Sequence, residues 1–416
     1  MTPTARAAAS IDLLAAIEEA PFRPADSVAN DYFRARRFIG AGDRRDVSDR
    51  VWRLLRTSRR LEWWLTSSDA PPTPRLKLAA ALLLEGWSFQ RLEQQAFAGG
   101  RFGATPLAAE EVRPLRRLVG KSIDDPAMPD AVRLEVPDWI LPKLRARFGD
   151  ALAAEIAALS AEAPLDLRVN LLKGTREEAQ AALAAEGVES SPTPLSPWGL
   201  RVAARRHITA GEAFRSGLVE IQDEGSQVVA ALVEAAPEMR VADLCAGAGG
   251  KTLAMAMTME NRGHIVACDV SAVRLDGAVR RLRRAGVHNV ERHLLVAGDK
   301  WAKRRAGGFD RVLVDAPCTG IGTWRRNPDA RRHLRPDDLA ELLPKQAGIL
   351  DQAAGLVRKG GRLIYATCSL LPEENEAQVS GFLARHPEYA VAGDFLSLTP
   401  LANGTDGFFA ARLERH

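Results

Sequence analysis

Cys318 and Cys368 are the residues of this chain whose surroundings suit covalent chemistry. Cys318 follows the β-branched run 311–314 in Asp315-Ala316-Pro317-Cys318-Thr319-Gly320, and Cys368 follows the run 362–366 in Thr367-Cys368-Ser369. Each run reads as a strand, and the carboxyl ends of strands in an open parallel sheet border one crevice, so both thiols can face one ligand. A thiolate placed there can add to C6 of a pyrimidine, which makes C5 enamine-like and able to take a methyl group from a sulfonium donor. Loss of the C5 proton and elimination of the thiol close the cycle. That chemistry asks for an attacking thiol, a group at the N3 edge of the ring, which Asp315 suits, and a group that assists release. Spacing alone does not say which cysteine attacks. The remaining cysteines, Cys245 and Cys268, read as core filler, and the absence of any CxxC pair points to neither a disulfide framework nor a metal site.

A second constellation begins at the run 240–244, which leads into Cys245, Ala246, Gly247, Ala248, Gly249, Gly250, Lys251 and Thr252 and then into a helical pattern. Glycines in such a strand-to-helix turn let the backbone approach a ligand closely. Asp269 ends the next strand, 19 positions after Gly250, where a carboxylate can accept both ribose hydroxyls of an adenosine. Asp299 follows a third strand-like segment and is placed to reach the adenine edge. Two other classes share this layout. A P-loop would need a glycine where Cys245 stands. A nicotinamide-dependent oxidoreductase fits the glycines and Asp269 but leaves the cysteine motifs without a role.

The elements that must hold these residues change character along the chain. Residues 10–148 carry apolar positions at three- and four-residue spacing and read as helices throughout. Residues 149–217 mix a helix (151–159), a strand (165–171), a second helix (176–186) and a proline-rich loop. Beyond residue 218, strands at 240–244, 264–268, 311–314 and 362–366 alternate with amphipathic stretches, which predicts a parallel sheet with helices on both faces. Three domains follow, at 1–148, 149–217 and 218–416. With 46% hydrophobic and 26% charged residues the composition is that of a soluble globular chain. No apolar run nears the ~20 residues of a membrane span, and the N-terminus lacks the layout of a secretory signal; a cytoplasmic location is expected. The net charge of +4 arises within the first 150 residues. Arginine clusters such as Arg280, Arg281, Arg283 and Arg284 read singly as solvated helix faces. Arg325, Arg326 and Asn327, shortly after Cys318, instead abut the proposed site, where they can hold the backbone of a nucleic acid that presents the pyrimidine.

Three runs, VADLCAGAGGKT, VLVDAPCTGIGTWRRNPDAR and IYATCSLLPEENEAQV, resemble signature motifs of the Sun, or RsmB-type, family of RNA cytosine-5 methyltransferases. LRVN at 167–170, IQDEGSQ at 221–227 and DGFFAARL near the C-terminus extend the resemblance from about residue 149 to the end. It implies a Rossmann-like class I methyltransferase domain, preceded by a small α/β RNA-recognition-like subdomain, with S-adenosyl-L-methionine as cofactor. It assigns Cys368 as nucleophile and Cys318 to product release. Cofactor contacts are implied from Cys245 through Lys251 and from Asp269, Asp299 and Asp315. The family usually has alanine at position 247 and proline at 248, where this chain has Gly247 and Ala248. Around Arg36-Arg37-Phe38-Ile39-Gly40 the N-terminal helices resemble a NusB-like domain, which implies small-subunit ribosomal RNA as substrate. Transfer RNA, or a role as an RNA-binding assembly factor without turnover, are the alternatives; intact Cys318 and Cys368 argue against the latter. A monomer with no metal, membrane or DNA partner is expected.

Overall fold

Thr2 accepts the Ala5 N–H and Pro3 fills the first turn of helix Pro3–Glu18, and Thr73 with Pro74 opens helix Pro74–Leu84 in the same way. These belong to the first of two compact units in the computed structural model, which describes residues 1–203 and 208–416. The first unit comprises Met1–Ala146 together with Arg326–Leu334. Its described elements are helical, and Leu13, Leu14, Val47, Val51, Leu61, Leu65, Leu78 and Leu83 form the core. The late segment is bound in by polar contacts. Asp329 accepts the Ala25 N–H at 3.0 Å, at the start of helix Ala25–Ala35, whose own N-cap, Pro24, has no side-chain acceptor. Arg332 joins the buried Lys77 in pairing with Glu18 and Glu62: its nitrogens lie 2.7 and 3.2 Å from them, and Lys77 Nζ lies 2.9 and 2.7 Å away.

The second unit comprises Arg147–Arg325 and Arg335–His416. Its smaller sheet contains β1 (Leu165–Val169), β2 (Ser190–Pro192), β3 (Gly199–Val202) and β4 (Val219–Ile221) in the order β2-β3-β1-β4, all antiparallel. Helix Arg176–Ala185, capped by Thr175 and Glu178, closes the core of Leu167, Val169, Leu183 and Leu200. The strand expected to reach residue 171 ends at Val169 because the chain turns there. Asn170 Oδ1 accepts the Leu172 N–H, while its Nδ2 donates to the carbonyls of Gly217 and Ala285.

The larger sheet holds β5 (Arg240–Asp243), β6 (His264–Asp269), β7 (Val290–Leu294), β8 (Phe309–Asp315), β9 (Val357–Thr367), β10 (Tyr389–Val391), β11 (Leu396–Leu398) and β12 (Phe408–Arg415). From β9 through β8, β5 and β6 to β7 it is parallel. The expectation of a parallel sheet holds for that part alone, since β12 runs antiparallel to β9 and carries β10 and β11. Period-two alternation divides the core between the two faces: Val312, Val314, Leu363 and Tyr365 pack on one, Leu313, Ile364 and Ala366 on the other. After β7 the chain crosses to place β8 on the opposite side of β5. That reversal opens a crevice at the carboxyl ends of β5 and β8. Among the described residues no helix is long and apolar enough to cross a membrane.

Candidate active site

Parallel pairing of β8 with β9 sets Asp315 opposite Ala366, and the Ala316 N–H extends the ladder to the Ala366 carbonyl at 2.8 Å. The residues that follow, Cys318 and Cys368, are thereby brought together, with their Sγ atoms 3.5 Å apart and both thiols free. The Cys368 carbonyl accepts the Gly322 N–H at 2.9 Å, and the Gly407 N–H donates to Gly322 O at 2.8 Å. A Cβ on Gly322 would lie 2.2 Å from Gly407 O, so only glycine fits this crossing. The hydrogen bond to Cys368, then burial, and more weakly the Glu374 carboxylate, push the Cys318 thiol well above its ordinary range.

Glu374, which is fully buried, links the two cysteine loops. Its Oε1 accepts the Thr319 N–H at 2.9 Å and Gln346 Nε2 at 3.0 Å, and its Oε2 accepts the hydroxyls of Thr319 and Ser369. Gln346 also donates to Pro317 O at 2.9 Å. Sequence reasoning gave Glu374 and Gln346 no role. Glu374 stands in an acidic stretch just before helix Glu376–Arg385, where carboxylates ordinarily serve the helix N-terminus.

Beside the thiols, Lys251 Nζ lies 2.6 Å from Asp315 Oδ2. Burial opposes the ammonium charge, but the Asp315 carboxylate outweighs it and raises the Lys251 pKa. Behind Lys251, Thr252 donates its hydroxyl to Asp243 Oδ2 at 2.7 Å, while Asp243 Oδ1 is buried without a partner. Burial pushes the Asp243 carboxyl up to about 7. Cys268 is buried in the core beneath the sheet, and burial raises the thiols of both Cys268 and Cys245.

The glycine loop is held from several sides. Gly247 takes φ 55° and donates its N–H to Asp269 Oδ2 at 2.9 Å, Asp269 Oδ1 accepts the Ser271 N–H, and the Ala246 N–H reaches Cys268 O. Arg281 donates to Ala248 O at 2.8 Å. Arg168, fully buried and lowered to about 10 by that burial, donates to Gly250 O at 2.7 Å. Neither arginine's bracing role is visible in the sequence, where both read as surface or strand positions. A Cβ at Gly247 would meet nothing, so the loop borders open space. That space and the orphaned Asp243 oxygen suit a polar cofactor such as S-adenosylmethionine, with a cationic head and a ribose. Asp299 Oδ2 lies 2.6 Å from His293 Nε2 and its Oδ1 accepts the Trp301 N–H at 2.8 Å; the imidazole holds its carboxyl below the usual range.

Arg325 does not stand where the expectation put it. It is buried, paired with Asp223 Oδ1 at 3.2 Å and with Asp406, and so is spent inside the fold rather than presented to a phosphate. Arg326 is half-buried and Asn327 exposed, and both lie in the segment that belongs to the first unit.

Comparison with known proteins follows the same lines. A family model described as 16S rRNA methyltransferase RsmB/F matches residues 230–414, and one for the RsmF/B-like ferredoxin-like domain matches residues 136–209. The ribosomal RNA small subunit methyltransferase B of Photorhabdus laumondii is 34% identical over 290 residues, covering 67% of this chain and 66% of that protein. The probable counterpart from Bacillus subtilis is 32% identical over 314 residues, covering 71% of this chain and 69% of its own length. This chain therefore spans about two thirds of the relatives it matches. A solved methyltransferase homolog from Pyrococcus horikoshii is 27% identical, with a TM-score of 0.63 over 70% of this chain and 100% of that one.

Proposed function

This chain belongs to the RsmB/F family of S-adenosylmethionine-dependent methyltransferases, and on that premise we propose that it methylates C5 of a cytosine in RNA, with 16S ribosomal RNA as substrate. One observation carries the reaction class: two reduced thiols 3.5 Å apart at the ends of neighbouring parallel strands, beside a lysine–aspartate pair. The names of the relatives support the substrate.

S-adenosylmethionine, when bound, supplies the electrophilic methyl group. Residues Cys245 to Lys251 and Asp269 would hold it, with Asp299 toward the adenine. Cys368 adds as thiolate to C6. Asp315 faces the N3 edge, where its carboxylate accepts the hydrogen bond of a proton that N3 takes from water as the thiolate adds and gives back when the thiol leaves, and the Lys251 ammonium balances the carboxylate charge. Once C5 carries the methyl group, its proton passes to water and the C6–S bond breaks. The electron pair left by the proton forms the C5–C6 double bond, and Cys318 donates its S–H to the departing sulfur. Working as a monomer in the cytoplasm, the chain engages RNA through the NusB-like helices of 1–148 and the small sheet of 149–217, leaving catalysis to 218–416.

Incubating the protein with methyl-labelled cofactor and 16S RNA, then digesting to nucleosides, tests the proposal. Label in 5-methylcytosine is expected; label in another nucleoside, or none, would overturn it.

A further inference from the structure

Glu374 is a carboxylate taken wholly out of water, and the donors around it are neutral: one backbone N–H, two hydroxyls and one carboxamide. Burying a charge in that way is costly unless the hydrogen bonds it accepts are needed. Its donors come from three places. Thr319 is the residue after Cys318, Ser369 the residue after Cys368, and Gln346 belongs to helix Pro336–Ala354. The Tyr365 hydroxyl fixes the same turn by donating to Glu374 O at 2.6 Å.

The thiol pair therefore sits in an uneven field. Glu374 bonds the Cys318 loop twice, through the Thr319 N–H and hydroxyl, and the Cys368 loop once, through the Ser369 hydroxyl. The Lys251 ammonium, paired with Asp315, is favoured by the Cys368 sulfur. The ionisable groups facing Cys318 are Cys368, Glu374 and the phenol of Tyr365; Gln346 is neutral. An anion bound chiefly to the Cys318 loop disfavours a second anion on the sulfur of that loop.

Resting on the reaction proposed above, we infer that Glu374 is a positioning residue that makes two adjacent cysteines unequal: it clamps their loops side by side and keeps Cys318 in the S–H form, leaving Cys368 as the attacking sulfur. The clamp acts through Thr319 and Ser369 and needs no contact with RNA or cofactor.

The test reads the thiols directly and needs neither RNA nor turnover. In a Cys368→Ala background, the rate of Cys318 alkylation by iodoacetamide is followed by mass spectrometry from pH 7 to 11. Adding Glu374→Gln should move the midpoint of the Cys318 profile down by about one pH unit, the size of effect a nearby buried charge exerts. Thr319→Ala, which loosens the loop but keeps the anion, should leave the midpoint at or above that of the Cys368→Ala protein. If Glu374→Gln leaves it in place, or if both variants lower it equally, the effect is loop disorder and the inference is overturned. Should Glu374→Gln fail to fold, as judged by circular dichroism, Glu374→Asp replaces it. The shorter carboxylate keeps the charge and must not lower the midpoint. Loss of 5-methylcytosine formation in the unmodified protein would instead overturn the reaction itself.

Discussion

Cys318 Sγ and Cys368 Sγ lie 3.5 Å apart although 50 positions separate the two residues in sequence. Adjacent parallel strands in register deliver them, so the pairing is a property of the sheet more than of either loop. Their inequality then follows from what lies beside each.

Removing each sulfur should give a different phenotype. Cys368→Ala is expected to abolish methyl transfer with the fold intact, whereas Cys318→Ala should accumulate an RNA–protein adduct that survives denaturing electrophoresis. Exchange of these outcomes would reverse the two roles.

Lys251→Met removes the ammonium beside Asp315. Because Asp315 is part exposed, the lone carboxylate remains hydrated and stability changes little. Turnover should fall about 100-fold, the usual cost of one charge-stabilising group, with RNA affinity unaltered in filter binding. Unchanged turnover would exclude Lys251 from the reaction.

Asp243 links stability to pH. Folding raises its carboxyl from the ordinary value near 4 to about 7, so the folded state keeps a proton that the unfolded state releases. Its contribution is fully present below about pH 4 and is lost as pH climbs through about 7. Thermal unfolding of Asp243→Asn should therefore improve relative to wild type across that window. A constant difference between the two curves would show that folding leaves the Asp243 carboxyl unshifted.

Arg325→Ala removes the guanidinium that Asp223 and Asp406 share, both of them nearly buried. A loss of about 3–5 kcal/mol in unfolding free energy is expected. The protein that remains folded should bind RNA as wild type does, measured by fluorescence anisotropy. A selective loss of RNA affinity would restore the phosphate-binding role read from the sequence.

Much of the site is legible in the sequence because parallel strands buried on both faces appear as continuous apolar runs. The runs before Asp243, Asp315 and Cys368 are of that kind, and the turns after them carry the chemistry. Strands β10 and β11 are three residues each and sit outside that parallel core, too short for any period to register. Buried charge is the other blind spot. Arg325 and Glu374 have the letters of surface residues, and only tertiary neighbours, Asp223 and Asp406 for one and Thr319 and Ser369 for the other, turn them inward. Arg168 stands in the LRVN run with no visible task, because its acceptor, Gly250 O, lies 82 positions away.

Residues 326–334 carry a practical lesson for anyone dividing this protein. A fragment starting at Arg147 would retain Asp329 and Arg332 but lack Ala25, Glu18 and Glu62, the groups they bind. The complementary fragment would keep Lys77 facing two acids with one cation missing. No single cut in the polypeptide separates the two halves cleanly, so gene truncations at that border would report on broken scaffolding as well as on the missing domain.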